Sequence, residues 1–127
     1  MPKHLKILAK SNSDKLNDHN LLETMVNELI KAVGMRPLGD ALIVDVPLEI
    51  AKLDSEIFED EGGISIIRML STSHIALHAW PLREEIHIEL YSCREYAQED
   101  FLRAIAKYLP ISKAKISDLT ESCEWDD

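Results

Sequence analysis

A short segment near the middle of the chain places several reactive side chains close together. The hydroxyl of Ser73 is followed by the imidazoles of His74 and His78, and the segment ends in a Trp-Pro pair. The thiol of Cys93 follows one predicted hairpin later. A hydroxyl can act as a nucleophile, and a thiol can return a proton when its surroundings tune its pKa. The combination carries more information than its members, because a single strand serine or a single cysteine is usually structural.

The spacing of the two histidines argues against a shared metal ion. Four residues along a strand place His74 and His78 about 13 Å apart, whereas first-shell ligands lie roughly 2 Å from the metal. The sequence therefore predicts no metal site. A third histidine, His87, is interpreted as a strand residue that faces solvent.

Hydrophobic periodicity predicts the elements that position these groups. Helical spacing of apolar residues predicts two helices, over residues 20–33 and 97–109. Asn20 and Glu23 are predicted to cap the first helix, and Gly34 marks its end. Alternation of apolar and polar residues predicts six strands, over residues 5–10, 41–46, 64–70, 73–79, 86–93 and 114–119.

The connections are predicted from chain-breaking residues and from charge. The acidic segment from Pro47 to Asp60 is predicted to be irregular, with a short helical turn at its centre. Gly62 and Gly63 are predicted to interrupt the pattern before the third strand. Ser71 and Thr72 are predicted to form a tight connection, or an irregularity, before the fourth strand.

The element order β-α-β-β-β-β-α-β predicts an α+β fold, a two-layer sandwich in which a mostly antiparallel sheet carries two helices on one face. The chain, residues 1–127, is predicted to form one domain. Alternation turns Ile75 and Leu77 toward the helices. The opposite face then carries the polar and reactive side chains of His74, His78, His87, Glu89, Tyr91 and Cys93. A second subunit covering that face would keep a reaction there away from bulk water.

Composition narrows the class of partner. The formal net charge of −9 opposes nucleic-acid binding, which depends on Lys and Arg neutralising phosphates, and a cationic substrate or partner fits better. No apolar run approaches the roughly 20 residues that span a bilayer. The two cysteines, Cys93 and Cys123, do not form a disulfide framework or a zinc site by number or spacing, and a cytoplasmic location is expected.

The string Ser-His-Ile-Ala-Leu-His-Ala-Trp-Pro, followed by Cys93, resembles the processing and active-site segment of the prokaryotic S-adenosylmethionine decarboxylases. These small enzymes make a pyruvoyl cofactor from one of their own serines. The resemblance implies that Ser73 is the cofactor precursor, that Ser65 and His78 assist processing, and that Cys93 is the catalytic acid. It also implies self-cleavage between Thr72 and Ser73, which gives a β chain of residues 1–72 and an α chain starting at residue 73.

The chemistry that the resemblance implies begins when the serine hydroxyl attacks the preceding carbonyl and exchanges the amide for an ester. Elimination and hydrolysis then leave the pyruvoyl group, whose carbonyl condenses with a substrate amine and accepts the electrons released as carbon dioxide leaves. The implied substrate is S-adenosylmethionine, for spermidine synthesis. The implied assembly is a dimer of processed units.

Two positions depart from the family pattern. Thr72 stands where the family usually has a glutamate, and Leu82 stands where it usually has an acidic residue that binds ribose hydroxyls. Glu84 or Glu85 is a candidate to supply the missing carboxylate. Two alternatives therefore stay open. One is a related pyruvoyl decarboxylase acting on ornithine or arginine, and the other is an unprocessed, non-catalytic homologue.

Overall fold

A six-stranded antiparallel sheet carries two α-helices on one face in the computed structural model, which describes residues 2–125. In chain order the elements are β1 (Lys3–Lys10), α1 (His19–Ala32), β2 (Leu42–Leu53), β3 (Glu56–Leu70), β4 (Ser73–Trp80), β5 (Glu85–Ser92), α2 (Gln98–Tyr108) and β6 (Lys113–Asp118). The strands lie side by side in the order β2-β3-β4-β5-β1-β6. The predicted α+β class and the predicted order of elements are confirmed.

One core lies between the sheet and the helices. Alternate residues of β4 and β5 are buried, which confirms the inward positions predicted for Ile75 and Leu77. The helices contribute buried side chains from one side each: Leu22, Met25, Val26, Leu29 and Ile30 of α1, and Phe101 and Ile105 of α2. Each fully buried aliphatic or aromatic side chain stabilises the fold by about 1.5–3 kcal/mol relative to exposure. The apolar pattern therefore fixes which face of β4 is left for polar groups.

The first helix begins earlier than its sequence pattern predicted. Its N-cap is Asp18, whose carboxylate accepts a hydrogen bond from the N–H of Leu21 at 3.1 Å, so the prediction of an Asn20 cap is wrong. A short 3-10 turn, Asp14–Asn17, precedes the helix and buries Leu16. Burial of Leu16 brings Asp18 to the helix start, where a carboxylate satisfies free N–H groups and suits the helix dipole.

The acidic segment predicted to be irregular is instead a long β-hairpin. β2 continues to Leu53 and β3 starts at Glu56, and Asp54 and Ser55 join them with φ angles of 49° and 69°. Two residues with positive φ form the type I′ turn that matches strand twist. Pro47 is tolerated because β2 is an edge strand, where a missing N–H removes no ladder bond on the open side. The outer part of this hairpin, residues 47–61, is called the arm below.

The two glycines do not interrupt β3, and that prediction is also wrong. The register runs on from Val46 opposite Gly63 to Leu48 opposite Glu61. Gly63 has a φ of 129°, and a Cβ placed on it would lie 2.1 Å from the carbonyl oxygen of Ala79. Glycine is required here because it lets the backbone of β3 approach the end of β4.

The two helices of the described chain are short. At 14 and 11 residues, neither is long and apolar enough to cross a membrane.

Candidate active site

The turn between β3 and β4 holds the peptide bond predicted to be cleaved. Leu70 pairs with Ser73, so Ser71 and Thr72 form a two-residue turn, as predicted. The N–H of Ser71 donates to the carbonyl oxygen of Arg36 at 3.0 Å, which ties the turn to the segment after α1. Thr72 has a φ of 51°, in the left-handed region that β-branched residues rarely adopt. Such a conformation stores strain, of order 1–3 kcal/mol, beside the Ser73 nitrogen.

Ser73 is the first residue of β4 and is 5% exposed. Strand alternation puts it on the helix side of the sheet, with Ile75 and Leu77. Its Oγ accepts a hydrogen bond from the backbone N–H of Cys93 at 2.7 Å. This backbone donor fixes the position of the hydroxyl and stabilises its deprotonated form.

Cys93 lies beside the same turn. β5 ends at Ser92, so the alternation that predicted an outward thiol does not extend to Cys93. The thiol donates to the carbonyl oxygen of Ser71, with an Sγ–O distance of 3.4 Å. Hydrogen bonding from the side chains of Thr72 and Ser73, helped by the charge of Arg94, lowers the pKa of the Cys93 thiol below its ordinary value. The thiol is therefore a stronger acid than an isolated cysteine.

An open cleft of about 270 Å³ lies next to this turn. It is lined by Gly34, Met35, Arg36, Ser71, Cys93 and Arg94. Two of the six lining residues are arginines, in a chain of net charge −9. A larger surface depression, of about 650 Å³, lies on the helix layer and touches none of the candidate residues.

Ser65 and His78 form a second pair, at the other end of the β3–β4 hairpin. They are direct partners across the two strands, and Ser65 Oγ lies 2.8 Å from His78 Nδ1. Burial, and then the neighbouring His87, lower the pKa of the His78 imidazole, while Glu89 opposes this. The imidazole is therefore neutral at neutral pH, and a neutral imidazole can accept a proton from a hydroxyl or another acid.

The structure brings the four predicted site residues together as two pairs. Ser73 contacts Cys93, and Ser65 contacts His78. His78 lies five positions after Ser73 in β4, or about 16 Å at the usual strand rise. Alternation also places their side chains on opposite faces of the sheet. Within one chain the two pairs do not meet.

The outer face of the sheet carries a cluster that the sequence pattern showed only in part. The Nε2 atoms of His74 and His4 lie 3.2 and 3.3 Å from the two carboxylate oxygens of Glu89, and the Tyr91 ring stacks on His74. Partial burial alone would raise the pKa of Glu89, but the two imidazoles lower it overall. His4 was missed, although the alternation of β1 places it beside Tyr91.

The residues after the Trp-Pro pair occupy a short 3-10 turn, Pro81–Arg83. Leu82 is 70% exposed, and Glu84 is exposed with a φ of 54°. Glu85 is half-buried on the outer face, 3.3 Å from His87. Of the two candidate carboxylates, Glu85 therefore lies nearer to His78, the cross-strand partner of His87. His87 itself is only partly exposed, since its ring packs edge-on against Trp80 at 4.6 Å.

Comparison with known proteins identifies the family. A family model described as S-adenosylmethionine decarboxylase matches residues 7–121. The arginine decarboxylase proenzyme of Caldivirga maquilingensis is 41% identical over 39 residues, which are 31% of this chain and 29% of that protein. The S-adenosylmethionine decarboxylase proenzyme of Methanococcus maripaludis is 31% identical over 58 residues, which are 45% and 48% of the two chains. The chain thus spans less than half the length of these curated relatives.

A solved structure shows the same fold. The adenosylmethionine decarboxylase from Aquifex aeolicus VF5 superposes with a TM-score of 0.68 over 100% of this chain and 98% of its own, at 13% identity. An identity this low shows a shared fold and does not extend to substrate or residue roles. The family model, by contrast, covers most of the sequence, including all four predicted site residues. This chain belongs to the S-adenosylmethionine decarboxylase family.

Proposed function

We propose that this protein is a proenzyme that cleaves itself between Thr72 and Ser73 and then acts as a pyruvoyl-dependent decarboxylase on S-adenosylmethionine. The observation that carries the proposal is the turn itself. A buried serine hydroxyl, a strained residue before it and an acidified thiol lie within hydrogen-bond reach of one another.

Self-cleavage needs no reactant other than this protein and water. Ser73 Oγ bonds to the carbonyl carbon of Thr72, and the bond from that carbon to the Ser73 nitrogen breaks, so an ester replaces the amide. Loss of the Ser73 Cα proton to a base then breaks the Cβ–Oγ bond, and Thr72 leaves as a carboxylate. Water hydrolyses the remaining enamine, through its imine tautomer, to a pyruvoyl group and ammonia. No oxidant is consumed.

The residues around Ser73 fit the group that this reaction would leave. In the uncleaved chain the Cys93 N–H donates to Ser73 Oγ. Loss of that oxygen would free the N–H to hold the new amino terminus. The pyruvoyl group supplies an electron sink for carbon dioxide release. The Cys93 thiol, with its lowered pKa, would hold the proton that returns to the substrate carbon.

A second copy of the chain would complete the site. The neutral imidazole of His78 is suited to take a proton, but it lies about 16 Å along β4 from Ser73 and on the other face. In the proposed dimer, two copies would pack by their outer faces. The two-fold axis would lie between the two faces, perpendicular to the strands and near the middle of β4. This arrangement would bring the Ser65–His78 pair of one copy toward Ser73 of the other. We therefore propose a homodimer of processed or unprocessed units.

A second substrate class has a specific observation behind it. Leu82 supplies no carboxylate for a ribose hydroxyl and points into solvent, and a site that has lost such a contact can lose specificity for the original substrate. Some relatives are arginine decarboxylase proenzymes. Arginine or ornithine is therefore the alternative substrate. We also propose a cytoplasmic location, because both cysteines are free thiols.

Mass spectrometry of the purified protein tests the proposal. We expect two fragments that divide between Thr72 and Ser73, with the second blocked to amino-terminal sequencing. Ser73→Ala should remain one full-length chain without unfolding, while Ser71→Ala, two residues away in the same turn, should still cleave. A native chain that stays intact after long incubation would instead support the non-catalytic homologue.

Carbon dioxide release identifies the substrate. Cleaved protein is assayed with S-adenosylmethionine, arginine and ornithine under the same conditions. Release from S-adenosylmethionine alone supports the proposed substrate, and release only from arginine or ornithine replaces it. Decarboxylation by Ser73→Ala would refute the pyruvoyl chemistry for any of the three.

A further inference from the structure

The arm, residues 47–61, extends beyond the rest of the sheet. β4 ends at Trp80, next to the root of the arm at Gly63, and the arm residues described pair only with one another. Glu61, at the base of the arm, forms an ion pair with Arg83. An isolated two-stranded hairpin is at best marginally stable in water. A hairpin of this length therefore implies a surface that covers it.

Both faces of the arm expose apolar side chains, and the face named the apolar face carries a row of three aliphatic residues. Leu48, Ile50 and Ile57 are 70%, 72% and 68% exposed. Their register places them on the outer side of the hairpin, the same side as Ser65. An exposed row of large aliphatic residues is typical of an interaction site. The row continues the outer sheet face that the proposed second copy covers.

The arm is also strongly acidic. It holds six carboxylates and one lysine, a net charge of −5. Glu59 lies on the apolar face opposite Ile50, whereas Asp60 lies on the other face opposite Glu49. A partner for the apolar face must therefore present both aliphatic surface and positive charge.

The turn end of this same chain presents both. Leu38 and Met69 are 43% and 57% exposed beside the cleft that Arg36 and Arg94 line. The N–H of Leu38 donates to the carbonyl oxygen of Met69 at 3.0 Å, so the loop after α1 and the end of β3 form one surface. We propose that the arm of each copy lies across the turn end of a second copy, with its apolar row on Leu38 and Met69 and its carboxylates toward Arg36 and Arg94.

The two-fold arrangement described under the proposed function supports this contact, and the inference rests on it. An axis that exchanges the Ser73 and His78 ends of β4 carries the root of each arm toward the turn end of the other copy. Both the arm and the Arg36 loop lie on the β2–β3 side of the sheet. The arm would then shield the cleft beside Ser71 and Cys93 from bulk water.

A charge-swap cycle tests the contact. Glu59→Arg, Arg36→Glu and the double variant are compared with native full-length protein by sedimentation equilibrium. Each single change should raise the dimer dissociation constant about tenfold, and the double variant should return to within about threefold of the native value. The matched control is Asp60→Arg, which makes the same charge change on the opposite face of the arm and should shift the constant by less than about threefold.

The outcomes separate this contact from the proposed function. Equal effects of Glu59→Arg and Asp60→Arg, or no recovery in the double variant, would overturn the arm contact. If that happens while native protein still cleaves and releases carbon dioxide, the enzyme assignment stands. If the cycle shows the expected coupling but the native chain neither cleaves nor releases carbon dioxide, the contact stands and the enzyme assignment fails.

Discussion

The two ends of the β3–β4 hairpin carry different halves of one candidate site. At the turn end, Ser73 is buried, its hydroxyl is fixed by the Cys93 N–H, and the preceding residue is strained. At the other end, Ser65 and His78 form a relaxed cross-strand pair on the outer face. Among the described residues, the first end has the proposed nucleophile and acid without a neighbouring base. The second has the proposed base without the serine proposed to form the cofactor.

The fold of one chain keeps the two pairs of candidate residues apart. A strand holds residues five positions apart on opposite faces and about 16 Å from each other. Bending β4 enough to join Ser73 and His78 would break its pairing with β3 and β5. The proposed association of two copies would join the ends without changing either strand.

Subunit mixing gives the largest expected effect. Cys93→Ala damages the turn end and His78→Ala the other end, so each protein alone should be nearly inactive. After exchange of subunits, half of the dimers are mixed and each holds one intact site, so activity should rise to about one quarter of native. The measurement is carbon dioxide release, with mass analysis of the His78→Ala chain, which should begin to cleave on mixing.

The control for mixing uses two changes at the same end. Ser73→Ala mixed with Cys93→Ala leaves no intact site in any dimer, so activity should stay at background. Recovery in this control would mean that Ser73 and Cys93 of one site come from different copies, which contradicts their grouping at one end. Lack of recovery in the first mixture, with exchange verified, would mean that the two ends of one site do not come from different copies.

Gly63→Ala tests how closely the His78 end is packed. The new methyl group would meet the Ala79 carbonyl oxygen at 2.1 Å in a backbone with positive φ. We expect the free energy of unfolding to fall by at least about 2 kcal/mol. Gly62→Ala is the matched control, because its nearest neighbour lies at 3.6 Å, and it should cost about 1 kcal/mol. Urea unfolding in the Ser73→Ala background measures both, and equal costs would contradict the close approach.

The buried strands and the helices were predictable because one face of each is covered. A covered face requires apolar residues at alternate positions in a strand and at helical spacing in a helix. The prediction failed on the arm, whose two faces are both exposed and whose Pro47 suggested a break. The Ser65–His78 pair was within reach of prediction, since a two-residue turn at Ser71 and Thr72 sets residue 65 opposite residue 78. The Cys93 N–H contact with Ser73 was not, because it depends on backbone after the end of β5.

Thr72→Gly tests the strain at the turn end. Glycine adopts positive φ without the penalty of a β-branched residue, although it is more flexible when unfolded. We expect the free energy of unfolding to rise by up to about 1 kcal/mol in the Ser73→Ala background. In the native background, relief of strain should slow cleavage. Ser71→Gly, at the turn position without positive φ, should instead lower stability. A loss of stability in Thr72→Gly would show that the backbone at Thr72 is not strained.

The pH dependence of His78 gives the smallest effect. Burial and the charge of His87 lower the pKa of His78 in the folded chain from its ordinary 6.5. As the pH falls through about 6.5, the unfolded chain therefore binds a proton before the folded chain does, and stability is lost until the folded pKa is passed. His78→Gln removes this pH-dependent loss of stability. The unfolding free energy of the variant, relative to that of native protein, should therefore rise as the pH falls from about 7.5 to about 5.5. His87→Gln removes the repulsion and should weaken the same trend without abolishing it, because burial of His78 remains. If native protein and His78→Gln show parallel pH profiles, the imidazole at this end is not held neutral by the fold, and a base role for it loses its physical ground.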